Sequence, residues 1–179
     1  VMTYSANVTK EEEVGEAYTA IVSQLGPLHG SINNAGMTRD GLLVKFKDGE
    51  FVKRMSLEEW QSVIDLNLTG VFLCGREAAQ LMIESQSKGV IINISSVARH
   101  GDFGQTNYSA TKAGVQSMAV VWAKELSKYG IRVNSIAPGF INTEMVASMP
   151  ENVLEGLAKM IPLGRIGEPD EVAKAAEFI

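Results

Sequence analysis

The run Gly89-Val90-Ile91-Ile92-Asn93-Ile94 narrows the possible folds more than any other stretch of this chain. Its apolar residues are nearly continuous rather than alternating. A strand with one wet face alternates, whereas a strand covered on both faces does not, so this one reads as a central strand of a parallel sheet. Parallel neighbours need long crossovers, usually helical, and the flanking sequence supplies them. Glu11 to Gln24 has the pattern of an amphipathic helix opened by Thr9 and an acidic first turn. Leu28 to Asn34 reads as a strand. Ser56-Leu57-Glu58-Glu59 forms a capping-box pattern at the head of a helix that passes Trp60, Ile64 and Leu68 towards Met82. A further helix carries Tyr108 and Lys112 to Tyr129, with Gly130 as its stop. Ile131 to Ala137 is the next strand, closed by Pro138-Gly139. Met145 to Met160 is Met-rich and helical, and Glu168-Pro169-Asp170 opens a last helix. Val1 to Val8 reads as a short buried strand, and Asp40 to Arg54 as a polar, Gly-punctuated segment turning at Asp48-Gly49.

Alternation of strand and helix predicts an α/β fold, a doubly wound parallel sheet. In such sheets ligands bind beyond the carboxyl ends of the strands. Asn34-Ala35-Gly36, Ser95-Ser96 and Pro138-Gly139 all fall there, on one rim. A length of 179 residues with 45% hydrophobic content suits a single domain with a sizeable core. The net charge of −5 supplies no basic patch for nucleic acid. Cys74 is the only cysteine and sits in an apolar run, so no internal disulfide framework exists. His29 and His100 have no metal-ligand spacing, and no apolar stretch is long enough to span a membrane. No signal peptide is evident, and the expected location is the cytoplasm.

Tyr108 and Lys112 stand four residues apart on one helix face. A free phenol titrates near ~10, too high for easy proton shuttling at neutral pH. A neighbouring ammonium favours the phenolate, so the spacing predicts that Lys112 lowers the tyrosine pKa towards useful acid–base work.

The pair belongs to a series: Asn33-Asn34-Ala35-Gly36, Asn67 within Asp65-Leu66-Asn67-Leu68-Thr69-Gly70, Ser95-Ser96, Tyr108-x-x-x-Lys112, and Pro138-Gly139-x-x-x-Thr143. In this order and spacing the chain resembles the short-chain dehydrogenase/reductase family, over almost its whole length. The resemblance implies a Rossmann-like domain and an NAD(P)-dependent oxidoreductase acting on a secondary alcohol or ketone. It makes Tyr108 the general acid, Lys112 its electrostatic partner and ribose ligand, and a serine the holder of the substrate carbonyl. It places Asn67 at a helix break, where a freed carbonyl holds water leading from Lys112 to solvent. Ser95 lies thirteen residues before Tyr108, as in most of the family, and Ser96 twelve. The local text favours Ser96 with one loop residue deleted near Arg99, leaving Ser95 as a strand-end hydroxyl on the opposite face.

For the cofactor, the resemblance assigns Asn7 and Val8 beside the adenine, Asn34, Ala35 and Gly36 near the adenosine half, and Ile141 and Thr143 at the carboxamide end. NADP is expected by analogy, with NAD open. The family's Gly-rich phosphate-binding turn has no match here, and neither does its last strand. The expectation is therefore one Rossmann-like domain over residues 1–179 that lacks the N-terminal Gly-rich strand-turn-helix and the C-terminal strand, cut from a longer parent at both ends.

Met37-Thr38-Arg39-Asp40-Gly41-Leu42-Leu43, Gly104-Gln105-Thr106-Asn107-Tyr108 and Ala137-Pro138-Gly139-Phe140-Ile141 resemble the 3-oxoacyl reductases. The implied substrate is a 3-oxoacyl thioester of coenzyme A or of acyl carrier protein. Sugar, polyol or steroid alcohols are the alternative substrates, and a non-catalytic member of the fold is the alternative class. Carrier-protein enzymes commonly have arginines where this chain has Ser87-Lys88 and Lys128-Tyr129. Met145, Met149 and Met160 are candidates for an adaptable lid. Val115, Met118, Val121 and Trp122 give the Tyr108 helix an apolar face suited to the family's subunit interface, and a homotetramer is expected.

Overall fold

The computed structural model describes residues 1–143, 146 and 151–179. In chain order its elements are α1 (Glu11–Leu25), β1 (Gly30–Asn33), β2 (Val44–Lys47), β3 (Glu50–Arg54), α2 (Leu57–Ile64), a π-helical turn (Asp65–Thr69) and α3 (Gly70–Glu84). There follow β4 (Gly89–Ile94), a 3-10 turn (Val97–His100), α4 (Thr106–Leu126), a 3-10 turn (Ser127–Tyr129), β5 (Ile131–Ile136), α5 (Glu151–Met160) and α6 (Pro169–Phe178). β1, β4 and β5 form a parallel sheet in that order, with the apolar run of β4 at its centre. This is an α/β, Rossmann-like arrangement.

Register explains the core. Ile91 lies beside Ser31 on one side and Val133 on the other, so all three share a face. On that face Ile91, Ile131 and Val133 pack against Ala78 and Met82 of α3 and Ala119 of α4. Burying each large apolar side chain contributes about 1.5–3 kcal/mol. α1 reaches the same face, where the Tyr18 hydroxyl lies 3.0 Å from Ser31 Oγ. On the opposite face α6 meets β5, and Ile32 is 56% exposed. Gly75 of α3 leaves room for the Trp122 ring of α4. A Cβ on Gly75 would run into the indole ring of Trp122.

The helix ends follow their sequence signals, with one exception. Ser56 Oγ accepts the Glu59 N–H at 3.1 Å and the Glu59 carboxylate accepts the Ser56 N–H at 2.8 Å, the expected capping box. After α4, Gly130 takes a left-handed φ of 74°, which ends the helix. α6 opens with Pro169 at its first turn and a capping box between Glu168 and Glu171. The exception is α1, whose N-cap is Lys10; Thr9 instead bonds its hydroxyl to Asn7 Oδ1.

Two segments differ from the sequence reading. Val1 to Val8 does not form a strand: Val1 and Tyr4 are exposed and, among the described residues, no strand pairs with them, so its apolar residues alone do not specify a ladder. The Asp40 to Arg54 segment holds an antiparallel hairpin, β2 with β3, rather than a simple polar turn. Asp48 and Gly49 take φ of 53° and 83°, the left-handed pair that a two-residue hairpin turn requires. Among the described residues, no helix is long and apolar enough to cross a membrane. Met145 and Met149 lie outside the described residues, and Met160 is 77% exposed at the end of α5.

Candidate active site

The parallel strands all end on one rim, and four polar side chains gather there. Asn67 sits in the π-helical turn between α2 and α3, fully buried. The turn rotates its amide out of the helix register towards β1. There its Oδ1 accepts the Met37 N–H at 2.9 Å and its Nδ2 donates to the Met37 carbonyl at 2.8 Å. The helix widens into a π turn at this residue without breaking, and the side chain clamps the segment that follows Gly36.

Beyond β4 the two serines take opposite roles. Ser95 is buried, and its hydroxyl donates to the Lys112 carbonyl at 2.7 Å, tying the strand end to α4. Its own N–H donates to Ile136 O at 2.7 Å. Ser96 faces the other way, as strand alternation requires. Its Oγ accepts the Ala98 N–H at 3.1 Å, and the hydroxyl lies close enough to Tyr108 to favour the ionised phenol. The Val97 N–H donates to Pro138 O at 3.0 Å, which brings the loop after β5 alongside.

One helical turn past Tyr108, Lys112 is 4% exposed. Its ammonium donates to the Ile94 carbonyl at 2.7 Å and lies 5.6 Å from the centroid of the Tyr108 ring. Burial without a carboxylate partner pulls the Lys112 pKa down to about 8. The tyrosine departs from the sequence expectation. Burial raises its pKa, the Ser96 hydroxyl opposes that, and the Asp40 carboxylate adds to it. The Lys112 ammonium gives a hydrogen bond to the Ile94 carbonyl, and burial dominates the tyrosine shift. Tyr108 therefore holds its proton at neutral pH, the state a proton donor needs.

Gly36 joins the lysine to the asparagine. A Cβ on Gly36 would stand 3.4 Å from Asn67 Oδ1 and 3.7 Å from Lys112 Nζ. Asn34, Ala35 and Gly36 are all exposed on the rim. Val8, Asn34 and Ala35 line a cavity of about 270 Å³ with Tyr18, Ile32 and Leu66. Asn7 does not enter it: its Oδ1 accepts from the Thr9 N–H and hydroxyl at 3.0 and 2.9 Å, closing a local turn. Ile141 lines a separate hollow of about 410 Å³ with Val97, Leu163 and Gly167. Thr143 is exposed, its N–H donating to Ile141 O at 2.8 Å.

These residues suit a nicotinamide dinucleotide. Lys112 uses one of its three N–H donors on Ile94 among the described contacts, leaving donors for ribose hydroxyls beside the open backbone of Gly36. The largely apolar cavity at Val8 suits a flat base.

Two asparagines missed in the sequence organise the rim. Asn107 is fully buried. Its Nδ2 donates to the Arg39 and Glu59 carbonyls at 3.0 and 3.1 Å, and its Oδ1 accepts the Tyr108 N–H at 2.8 Å. It locks the start of α4 to α2 and to the loop after β1. Asn33 donates to Asn93 Oδ1 at 2.8 Å across the sheet, leaving Asn93 Nδ2 buried without a partner. Position within the Asn33-Asn34-Ala35-Gly36 motif and immediately before Tyr108 was the available signal. The lysines that stand where carrier-protein enzymes commonly have arginines are both exposed. Lys88 lies along Gly130, and the Lys128 ammonium sits 4.9 Å from the Tyr129 ring centroid.

The profile of a family described as "Enoyl-(Acyl carrier protein) reductase" matches residues 1–179. Over 177 residues the chain is 44% identical to the 3-oxoacyl-[acyl-carrier-protein] reductase FabG of Thermotoga maritima, covering 98% of this chain and 68% of that protein. It is 45% identical over 175 residues to a 3-oxoacyl-[acyl-carrier-protein] reductase of Synechocystis, covering 97% of this chain and 66% of that one. It is 46% identical over 149 residues to the (3R)-3-hydroxyacyl-CoA dehydrogenase of Canis lupus familiaris, covering 83% and 54%. The chain thus spans 54–68% of the length of these relatives.

Proposed function

The chain belongs to the short-chain dehydrogenase/reductase family, and from that premise we propose that it reduces a 3-oxoacyl thioester to the 3-hydroxyacyl thioester with NAD(P)H. The observation that carries this reading is the buried Lys112, its ammonium 5.6 Å from the centroid of the Tyr108 ring, with the Ser96 hydroxyl on the same rim. Two hydroxyl donors on one rim suit a carbonyl oxygen. When bound, the reduced nicotinamide supplies the hydride. Ser96 hydrogen-bonds the carbonyl oxygen and polarises it. Tyr108, protonated at neutral pH, gives its proton to that oxygen as it turns basic. Lys112 holds the ribose and keeps a positive charge near the phenolate that remains. Asn67 positions the Met37 segment on which Gly36 and Lys112 converge. Val8, Asn34, Ala35 and Gly36 would hold the adenosine half, with Ile141 and Thr143 towards the carboxamide.

The relatives' names favour the 3-oxoacyl or 3-hydroxyacyl class over sugars, polyols or steroids. We take NADP as the preferred cofactor, with NAD the alternative, in a cytoplasmic homotetramer. Residues 1–179 act in this reading as a single Rossmann-like domain. The test is loss of reduced-nicotinamide absorbance with acetoacetyl-CoA, with NADPH and NADH in separate reactions, by the natural polypeptide that carries this chain. Turnover with one cofactor, abolished in Tyr108→Phe, is the expected result. Binding of neither cofactor and no turnover would favour the non-catalytic reading.

A further inference from the structure

The β2–β3 hairpin has no part in the chemistry above. Its register places Lys45 opposite Lys53 and Lys47 opposite Glu50 on one face, with Phe46 opposite Phe51 and Val44 opposite Arg54 on the other. Like charges directly opposite each other destabilise a strand pair. Glu59 relieves Lys53, at 2.7 Å, while Lys45 and Lys47 have no ion-pair partner among the described residues. Phe46 and Phe51 meet edge to face at 5.8 Å yet remain 62% and 58% exposed. From Val44 to Arg54 four cations stand against two anions, in a chain of net charge −5.

The hairpin is anchored to the mouth of the site. Met55 N–H donates to Leu43 O at 3.1 Å across its base, and Gly41 N–H donates to Gly104 O at 2.7 Å. The Gln105 amide donates to Asp40 at 3.0 Å, just before the helix of Tyr108 begins. At the foot of the hairpin an open hollow of about 680 Å³ is lined by Leu43, Arg54, Met55, Leu57 and Trp60. Contiguous exposed apolar surface of this kind marks an interaction site. The local positive charge on an otherwise acidic molecule selects an acidic occupant by electrostatic complementarity.

We propose that the β2–β3 hairpin is the docking arm for an acidic acyl carrier protein that presents the thioester to the site. This rests on the 3-oxoacyl reading above and adds a surface for the carrier. The test is the double variant Lys45→Glu/Lys47→Glu in the natural polypeptide, both lysines being exposed. Circular dichroism should match that of the wild type. With acetoacetyl-carrier protein, kcat/KM should fall about tenfold, mainly through KM, and the wild-type value should fall with added salt. With acetoacetyl-CoA, kcat/KM should stay within about twofold, since rim charges act on partner encounter rather than chemistry. Surface plasmon resonance with holo-carrier protein, read without turnover, should show the same loss of binding. Equal loss with both substrates, or no loss with either, overturns the proposal. So does a change in sedimentation-determined subunit number, which would assign the hairpin to a second copy of this chain. Carrier binding through the lysines without turnover of either thioester would leave the docking arm standing and remove the 3-oxoacyl reading. Turnover of acetoacetyl-CoA without carrier binding would do the reverse.

Discussion

The rim at Tyr108 and the hairpin at Phe46 are tied together where Gly41 and Asp40 bond to Gly104 and Gln105, yet they are built by opposite means. On the rim, Asn67, Ser95, Asn107 and Lys112 are each buried and each held by a hydrogen bond to backbone far away in sequence. In the hairpin every residue of both strands is exposed, and local turn chemistry and one aromatic pair set the shape. The contrast separates two jobs. Buried long-range bonds fix atoms to the tolerance that proton transfer needs, whereas an exposed arm offers surface and charge to a partner. Substitutions of those four buried side chains should change chemistry and stability together; substitutions in the hairpin should change partner recognition and little else.

The largest expected effect comes from Tyr108→Phe. Removing the proton donor should lower kcat by about 10²–10⁴-fold, with thermal stability unchanged, measured by steady-state kinetics and calorimetry. Asn67→Ala should follow. It strands the buried Met37 N–H and carbonyl, costing about 1–3 kcal/mol in denaturant unfolding, and should reduce kcat as the Gly36 segment loosens. Gly75→Ala should cost about 1–3 kcal/mol by driving a methyl into the Trp122 ring, with kcat for the folded fraction retained. Phe46→Ala in the hairpin should be smallest, within about 0.5 kcal/mol of wild type, because that ring is mostly exposed. A loss as large as that of Asn67→Ala would break the contrast between the two regions.

The fold was legible wherever local chemistry decides it. The unbroken apolar run of β4, the Ser56–Glu59 capping box and the Gly130 stop each act over a few residues, and each is found. The spacing of Tyr108 and Lys112 also survives, since one helical turn fixes it. What escaped the sequence depends on partners. Val1 to Val8 has strand-like residues, but a ladder needs a neighbour. The hairpin was signalled by Asp48-Gly49 between Val44-Lys45-Phe46-Lys47 and Glu50-Phe51-Val52-Lys53, but the polar character of the segment masked the pairing. Asn107 is an ordinary helix-start residue until the Arg39 and Glu59 carbonyls arrive beside it. The sign of the Tyr108 shift was beyond reach for the same reason: it turns on burial, which only the packed structure sets.

Lys112 offers the most direct test. Its buried ammonium titrates at about 8, below the ordinary lysine value of 10.5. A depressed lysine pKa means that burying the cation weakens the fold. That cost is fully present below about pH 8 and is relieved as the pH rises towards 10.5, where the unfolded chain binds more protons. Activity should run the other way, because the charge beside Tyr108 disappears over the same range. The decisive measurement is the pH profile of kcat/KM for acetoacetyl-CoA reduction by the natural polypeptide. A plateau below pH 8 that falls away above it, with the fall displaced upward in Lys112→Arg, is the predicted result. A profile flat to pH 10, or rising through that range, would contradict a proton-donating centre built on Tyr108 and Lys112.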